Sequence, residues 1–163
     1  MPATEKELFD RLADIGVETS TVRHPAVFTV EQNKALRGDL PGVHSKNLFL
    51  KDKKGGYWLV VTLEDREIDL KTLRHRIGAA QLSFARPERL REVLGIDPGS
   101  VTPFALINDT ANRVRVVLDA EMMACETLNY HPLTNTASTA ITPEGLMAFI
   151  RSCGHRPSVV ELE

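Results

Sequence analysis

The chain has 163 residues, of which 42% are hydrophobic and 26% are charged, so it is long enough for one ordinary domain with a real core. It lacks the long apolar run of a membrane helix and the basic and apolar stretches of a signal peptide, so we expect a cytoplasmic protein with no membrane partner. The net charge of −2 argues against a protein that coats nucleic acid nonspecifically.

Charge is unevenly distributed along the chain. Residues 34–91 hold 13 Lys and Arg against 7 Asp and Glu, a net of +6, and the remainder holds 7 against 15, a net of −8. This asymmetry permits a basic face for a phosphate backbone, although an ordinary mixed surface is the commoner reading.

The N-terminal third begins with a helix signal. Thr4 and Glu7 form a capping box, apolar residues then recur at helical spacing, and Gly16 stands where a C-cap glycine belongs. Residues 17–23 alternate weakly, which favours a strand, and residues 29–37 are a candidate for a short helix.

The middle of the chain predicts a hairpin followed by short elements. Two apolar runs, 47–51 and 57–63, flank a polar loop with two glycines. We then expect a helix over 68–77, a short strand over 82–85, and a helix over 87–94 with proline in its first turn.

The C-terminal third predicts more strands and one further helix. We expect strands over Phe104–Ile107, Val114–Leu118, part of Met122–Leu128 and, at the end, Val159 and Val160. Thr142 and Pro143 begin a helix. Because strands and helices alternate without a βαβ rhythm, the fold class is α+β, a single domain over residues 1–163 around a curved, barrel-like mixed sheet flanked by helices.

Lys46 is the first candidate for chemistry. Strand alternation places its side chain on the face of Leu48 and Leu50, where an ammonium group at the rim of an apolar cavity needs an anionic or carbonyl partner. A ligand could supply that partner, although a strand-end lysine that reaches water is the commoner case.

A second candidate is the loop from Gly99 to Pro103. Gly99 would let a backbone amide approach a substrate, where it could bind a carbonyl oxygen or orient a water. Pro103 would fix the loop and place Phe104 at the start of a strand. A tight connecting loop without a function is the more common outcome.

Histidines supply the third candidate. His131 precedes Pro132 and projects from a strand end, where an imidazole can hold ribose or phosphate, act as a base, or serve only the structure. His24 repeats the His-Pro pattern. Asn129, Asn135 and Ser138 are either turn residues or polar groups that line the entrance of the same site.

Other chemistries have little support. There is no GxSxG sequence, and Ser45 points to the strand face opposite Lys46, so neither a Ser-His-Asp nor a Ser-Lys hydrolase is indicated. His24, His44 and His131 lack metal-ligand spacing, and the two cysteines show no CxxC pairing. We therefore predict no metal and no cofactor.

Four segments together resemble a known family. They are His24-Pro25-Ala26-Val27-Phe28-Thr29, Lys46-Asn47-Leu48-Phe49-Leu50, Gly99-Ser100-Val101-Thr102-Pro103, and Asn129-Tyr130-His131-Pro132 with Thr134-Asn135. In this order they resemble the free-standing prolyl-tRNA editing proteins, relatives of YbaK and of the editing domain of bacterial prolyl-tRNA synthetases. The most similar subgroup is the ProXp-ala type, which clears alanine from proline tRNA.

That resemblance implies an aminoacyl-tRNA deacylase, a carboxylic ester hydrolase that protects translation fidelity. It implies catalytic roles for Lys46, Gly99 and His131 on tRNA(Pro) carrying alanine, with prolyl-tRNA synthetase as a possible partner. It implies a small pocket that excludes proline by size, with Val27, Phe28, Val101 and Phe104 as candidate walls. The substrate-binding residues it implies are His24, Val27, Phe28, Thr29, Asn47, Ser100, Val101, Thr102, Pro103, Asn129 and Asn135.

Alternatives to Ala-tRNA(Pro) remain open. Cysteinyl-tRNA(Pro) or another small aminoacyl-tRNA would also fit a small pocket, since related subgroups share the lysine. A noncatalytic module that binds an aminoacyl-tRNA or a synthetase is the reading from a different class. A small-molecule esterase that acts on alanine esters without tRNA is weaker.

Overall fold

The structure, a computed structural model, describes residues 2–25 and 42–162. Its α-helices are α1 (Glu5–Asp14), α2 (Leu70–Ile77), α3 (Pro87–Leu94), α4 (Ala120–Met123) and α5 (Pro143–Ser152). The capping box at Thr4 and Glu7 is present, and Gly78 ends α2 in the left-handed conformation. The predicted start of α1 and the predicted end of α2 are therefore confirmed.

Eight strands form one mixed sheet in the described part of the chain. They are β1 (Ser20–Arg23), β2 (Val43–Asp52), β3 (Tyr57–Leu63), β4 (Leu82–Phe84), β5 (Val114–Asp119), β6 (Leu128–Tyr130), β7 (Ala137–Ile141) and β8 (Ser158–Val160). Their order is β1-β7-β6-β2-β3-β5-β8, with β4 paired to β2. The predicted mixed sheet with flanking helices is confirmed, including the hairpin of β2 and β3 and the late strand β8.

Strand β2 is the hub of this sheet. It runs antiparallel to β3 along most of its length, parallel to β6 only at Val43 and His44, and antiparallel to β4 only from Leu50 to Asp52. Between those two short ladders, the edge of β2 opposite β3 is paired with no strand among the described residues. Backbone groups and side chains of Ser45 to Leu48 therefore lie at an opening between β6 and β4.

Two apolar clusters lie on opposite faces of β2. The main core contains Phe49, Leu59 and Tyr130, together with residues of α1, α3 and α5. The second cluster contains Leu50 and Trp58 with residues of α2. Because successive side chains alternate between faces, Ser45 and Asn47 share the face of Phe49, whereas Lys46 and Leu48 share the face of Leu50.

Two strand predictions were wrong. Residues Phe104–Ile107 lie within a 3-10 helix (Pro103–Asn108) rather than a strand. Thr102 caps that helix by accepting the Phe104 amide, and Pro103 supplies a fixed φ in its first turn. The chain from Met122 begins inside α4, and the following strand starts only at Leu128.

Strand β7 was not predicted, and other boundaries shift by a few residues. β7 contains Ala137, Ser138, Thr139 and Ala140, which show no hydrophobic alternation, and it is fixed by pairing with β1 and β6. The predicted helix over 29–37 lies outside the described residues. No helix in residues 2–25 and 42–162 has the length and apolar character needed to cross a bilayer.

Candidate functional site

The register of the sheet gathers several predicted residues on one face. Lys46 lies opposite Thr62 of β3, on the face that also carries His44. His44 pairs with Asn129 of β6 in parallel register. If that register continued for two more residues, His131 would lie alongside Lys46 on the same face.

A contact on the opposite face supports this extension of the β2 and β6 register. Ser45 lies between His44 and Lys46 in the chain, and Tyr130 lies between Asn129 and His131. The hydroxyl groups of both donate to the sulfur of Met122, at 3.4 Å and 3.2 Å respectively. Ser45 and Tyr130 therefore remain close to each other just past the last paired residues, one residue before Lys46 and His131.

Two histidines from distant segments meet at this face. The ring centroids of His24 and His131 are 6.3 Å apart, with the planes inclined by 61°. His24 Nε2 is 2.9 Å from the Ser138 hydroxyl, and its Nδ1 is 2.8 Å from the carbonyl oxygen of Pro25. Since a carbonyl only accepts, Nδ1 carries the proton in neutral His24, and the Ser138 hydroxyl donates to Nε2.

The environment of His131 fixes its charge and its tautomer. Burial lowers the pKa of His131 below its ordinary value, and the neighbouring His24 lowers it further, although a hydrogen bond to Ala137 opposes this. Nδ1 of His131 donates to the Ala137 carbonyl at 3.0 Å, so neutral His131 keeps an unprotonated Nε2 as an acceptor. The ring is therefore held as a neutral imidazole near pH 7.

Asn129 lies on the same face as His44, at a point where β2 and β6 approach each other closely. Its side-chain nitrogen donates to the carbonyl of Val43 at 3.2 Å. The neighbouring Gly42 has φ +89, and a Cβ there would lie 2.8 Å from the Thr127 carbonyl oxygen and 2.9 Å from the Asn129 nitrogen. Only glycine fits this place, so it sets how closely β2 and β6 approach.

The loop containing Gly99 has a different position. Pro98–Ser100 is a short 3-10 turn in which the Ser100 amide donates to the carbonyl of Asp97. Val101 packs against the main core, and Thr102 is fully buried. The described residues show no hydrogen bond between this loop and Lys46 or His131, so the predicted residues fall into two groups.

Phe104 belongs to the core. Its ring is fully buried and meets the ring of Tyr130 edge-on at 6.0 Å and that of Phe149 at 5.4 Å between centroids. Such edge-to-face aromatic pairs stabilise a core beyond their area alone. Phe104 is therefore a core residue of a 3-10 helix rather than the start of a strand, and its role as a pocket wall stays a prediction.

Asn47 carries an unusual buried atom. Its side-chain oxygen is inaccessible to solvent and has no hydrogen-bond partner among the described residues. A buried acceptor without a donor costs about 1–3 kcal/mol, so it calls for an explanation such as a bound ligand. Asn47 lies at the opening in β2, beside Lys46 but on the other face.

Some predicted residues cannot be placed. Val27, Phe28 and Thr29 lie outside the described residues, and with them most of the first resembling segment. Asn135 is half-buried and makes an interaction, which leaves its role in substrate binding a prediction.

Residues 2–25 and 42–162 contain no cluster of side chains that could ligate a metal ion. No group of three His, Cys, Asp or Glu side chains there is placed to hold an ion. Cys125 and Cys153 are half-buried free thiols. Burial raises the pKa of the Cys153 thiol, which disfavours its reactive thiolate form.

A buried ionic network lies beside the Lys46 face, and the sequence reasoning missed it. Asp119 is fully buried and accepts from the Thr62 hydroxyl at 2.6 Å and from the Arg66 guanidinium at 2.7 Å. Burial raises the pKa of Asp119, but these hydrogen bonds outweigh it and leave the pKa below its ordinary value. The sequence predicted this hairpin, but the pairing of Thr62 with Lys46 is known only from the structure.

Comparison with known proteins identifies the family to which this fold belongs. The family model described as the aminoacyl-tRNA editing domain matches residues 24–149. That range contains His24, Lys46, Gly99 and His131. The chain therefore belongs to the aminoacyl-tRNA editing domain family, and the predicted membership of that family is confirmed.

Individual relatives cover almost the whole chain. It is 40% identical over 161 residues, 96% of this chain and 94% of the relative, to a prolyl-tRNA synthetase associated domain-containing protein 1 of Bos taurus. It is 33% identical to the prolyl-tRNA editing protein ProX of Acetoanaerobium sticklandii, with 93% of each covered. A crystal structure described as a putative trans-editing enzyme for prolyl tRNA synthetase shares the fold, with a TM-score of 0.71, 22% identity and 99% of each chain covered.

Proposed function

We propose that this protein is a trans-editing deacylase that hydrolyses alanine from mischarged tRNA(Pro). Water would attack the ester carbonyl carbon, the bond to the terminal ribose oxygen would break, and that oxygen would take up a proton. The products are alanine and free tRNA. The observation that supports the proposal is the pairing of His44 with Asn129, because this register, extended by two residues, would put Lys46 and His131 on one face of the sheet next to an opening in β2.

Lys46 is suited to hold the reacting end of the substrate. It is half-buried, and the described residues provide no carboxylate in an ion pair with it. An ammonium at such a place gains most from an anionic or carbonyl partner. We assign it to charge-assisted hydrogen bonds with the aminoacyl group or the terminal phosphate, which would strengthen as charge develops on the carbonyl oxygen.

His131 is suited to position the ribose rather than to act as an obligate base. Its Nε2 is an acceptor in the neutral ring, and a ribose hydroxyl is a matching donor. An aminoacyl ester is already activated, so the ribose hydroxyl of the substrate could itself help to orient the water. His24 and Ser138 would then fix the neighbouring wall of the site.

The opening in β2 offers further polar groups. The unpartnered oxygen of Asn47 could accept from the α-ammonium of the aminoacyl group. Because the Ser100 amide is already bonded to Asp97, the amides of Gly99 and Val101 are the remaining candidates for the ester carbonyl. These assignments would require the substrate to bridge the two groups of residues.

Specificity would come from size. Alanine lacks the ring of proline, so a small cavity can admit alanine and reject proline by steric overlap, which is the logic of a second sieve. Cysteine is the nearest competitor, and Cys-tRNA(Pro) deacylation is the second candidate. Partners would be the tRNA(Pro) acceptor stem and prolyl-tRNA synthetase, in the cytoplasm.

The test is deacylation of Ala-tRNA(Pro), with Pro-tRNA(Pro) and Cys-tRNA(Pro) in parallel. We expect rapid loss of alanine with proline retained, and a loss of at least ~100-fold in the Lys46→Ala variant, since it removes the main charged group of the site. Lys6→Ala is the matched control, because Lys6 is an exposed lysine in α1 whose ion pair with Asp10 has little energetic weight.

Each outcome has a definite meaning. Full activity of Lys46→Ala with an unchanged melting curve would refute the proposed role of Lys46. Preferred release of cysteine would move the substrate to Cys-tRNA(Pro). Binding of the three substrates without turnover of any would favour a noncatalytic module.

A further inference from the structure

Phe84 is an aromatic side chain in an unexpected place. It is 63% exposed, more than the two other large hydrophobic side chains that stand out as exposed in the described residues, Val22 at 42% and Val159 at 47%. It ends β4, directly opposite Leu50 of β2. We propose that Phe84 is a stacking platform for an unpaired base near the 3′ end of the tRNA substrate, an inference that rests on the proposed function.

The sheet connects Phe84 to the candidate site. Side chains directly opposite each other in an antiparallel pair lie on the same face, so Phe84 shares the face of Leu50, Leu48 and Lys46. Lys46 is four residues before Leu50, about 13 Å along the strand at ~3.3 Å per residue. A single-stranded 3′ end whose last ester lies at Lys46 would reach Phe84 within a few nucleotides, since stacked bases rise by about 3.4 Å each.

The chain after Phe84 adds a cation. The amide of Ala85 donates to the carbonyl of Phe49, so the extended ladder continues past the end of β4. Arg86 follows with φ −72 and ψ 152, which by alternation returns its side chain to the face of Phe84. Arg86 is exposed and has no ion pair within the described residues.

An exposed aromatic ring next to an unpaired cation is the pattern of single-strand nucleic-acid binding. Bases stack on the ring while the cation meets the backbone phosphate, and neither contact depends strongly on base identity. A protein-docking surface would instead present a contiguous apolar patch. Here, the neighbours of Phe84 on its own face, Leu50 and Leu82, are buried, so the exposed ring does not belong to a contiguous exposed apolar patch with them, which favours RNA as the occupant.

The experiment compares Phe84→Ala with Phe84→Trp in two assays. In deacylation of Ala-tRNA(Pro), we expect Phe84→Ala to raise KM by about 5- to 100-fold, the range for loss of one stacked base, with kcat within about twofold of wild type. Phe84→Trp should restore KM. Alanyl-adenosine, which lacks the preceding nucleotides, should be hydrolysed equally by all three proteins.

A binding assay keeps the inference separate from the proposed function. Fluorescence anisotropy with a labelled RNA oligonucleotide ending in CCA needs no turnover. We expect Phe84→Ala to weaken its binding by a similar factor, with Val159→Ala on the exposed strand β8 as the matched control. If the wild type hydrolyses neither substrate, the proposed function fails, while this assay still decides the role of Phe84.

Three results would overturn the stacking role. One is unchanged oligonucleotide binding by Phe84→Ala. Another is an equal loss on alanyl-adenosine, which would mean that the substitution disturbs the site itself. The third is lost association with prolyl-tRNA synthetase while RNA binding is intact, which would make this a protein-docking surface.

Discussion

Individual side chains at this site are held by partners that leave one polar atom available. His131 donates from Nδ1 to a carbonyl and keeps Nε2 as an acceptor. Asn47 keeps a buried oxygen without a partner among the described residues. The His-Pro pattern pointed to His131, whereas Asn47 was implied only by the resemblance to the editing family. Which side-chain atom already has a hydrogen-bond partner depends on neighbouring residues that are brought close only by the fold.

The role of His131 can be separated from its structural contact by His131→Asn. Asparagine can keep an N–H donor for the Ala137 carbonyl but has no counterpart to Nε2. We expect KM for Ala-tRNA(Pro) to rise about 2- to 12-fold, the net value of one lost hydrogen bond. The measurement is steady-state deacylation beside a thermal melt, and an unchanged KM with a lowered melting temperature would leave His131 a structural role only.

The same variant tests the lowered pKa of His131. Because burial depresses the pKa, the unfolded chain binds more protons than the folded chain just below the ordinary histidine value of about 6.5. Stability from this group is therefore present above that pH and is lost as pH falls toward the lower folded pKa. Urea unfolding at about pH 7.5 and about pH 5.5 should show a larger loss for wild type than for His131→Asn. Equal losses of stability in the two proteins would contradict a lowered pKa for His131.

For helices and strands, the sequence predicted features that depend on a few adjacent residues. It did not predict features that depend on pairing between distant strands. Thr4 caps α1, and Gly78 and Pro143 mark α2 and α5, because caps and breakers depend on local backbone geometry. The apolar run at Phe104 was misassigned because four apolar residues suit a strand or a buried turn equally. β7 has no pattern of its own and forms because β1 and β6 flank it.

Gly42 tests how far the β2 and β6 junction controls the site. Gly42→Ala would put a Cβ 2.8 Å from the Thr127 carbonyl oxygen in addition to the left-handed φ of +89. We expect a loss of about 2–4 kcal/mol in the free energy of unfolding, from backbone strain plus overpacking, with loss of deacylation as Asn129 and His44 move.

The control for this substitution is Gly55→Ala in the loop of the β2–β3 hairpin. Gly55 has a similar φ of +85 but open space around it, so only the strain of about 1–2 kcal/mol should appear, with activity retained. Urea unfolding and deacylation of Ala-tRNA(Pro) measure both effects. Equal stability losses in the two variants would show that the close approach at Gly42 has no energetic weight.

Across the whole molecule, the candidate site depends on the order of the strands. His24 follows β1, Lys46 lies in β2, His131 follows β6 and Ser138 lies in β7, and these strands are neighbours in the sheet. Periodicity and spacing could identify these residues as candidates but could not predict that they lie close together, since strand order is set by contacts between distant segments. The resemblance supplied the grouping that local reasoning lacked.

The charge distribution of the whole chain leads to a prediction about salt. Net charge is −2, but the segment 34–91 has an excess of +6, and Lys51, Lys53, Lys54 and Lys71 in it are exposed. If a few of these meet phosphates of the acceptor stem, kcat/KM for Ala-tRNA(Pro) should fall about 10-fold or more between ~50 mM and ~200 mM salt, as released counterions are recaptured. Steady-state deacylation across this range measures the slope.

Alanyl-adenosine provides the internal control, because it has no phosphate and its hydrolysis should change little over the same range of salt. A double substitution, Lys53→Ala with Lys54→Ala, should reduce the slope for tRNA by up to about 2 in logarithmic units, since each phosphate contact contributes close to 1. These lysines are exposed in the hairpin loop, so the melting temperature should hold. An unchanged slope would place the tRNA contacts elsewhere and leave the excess of charge as an ordinary solvated surface.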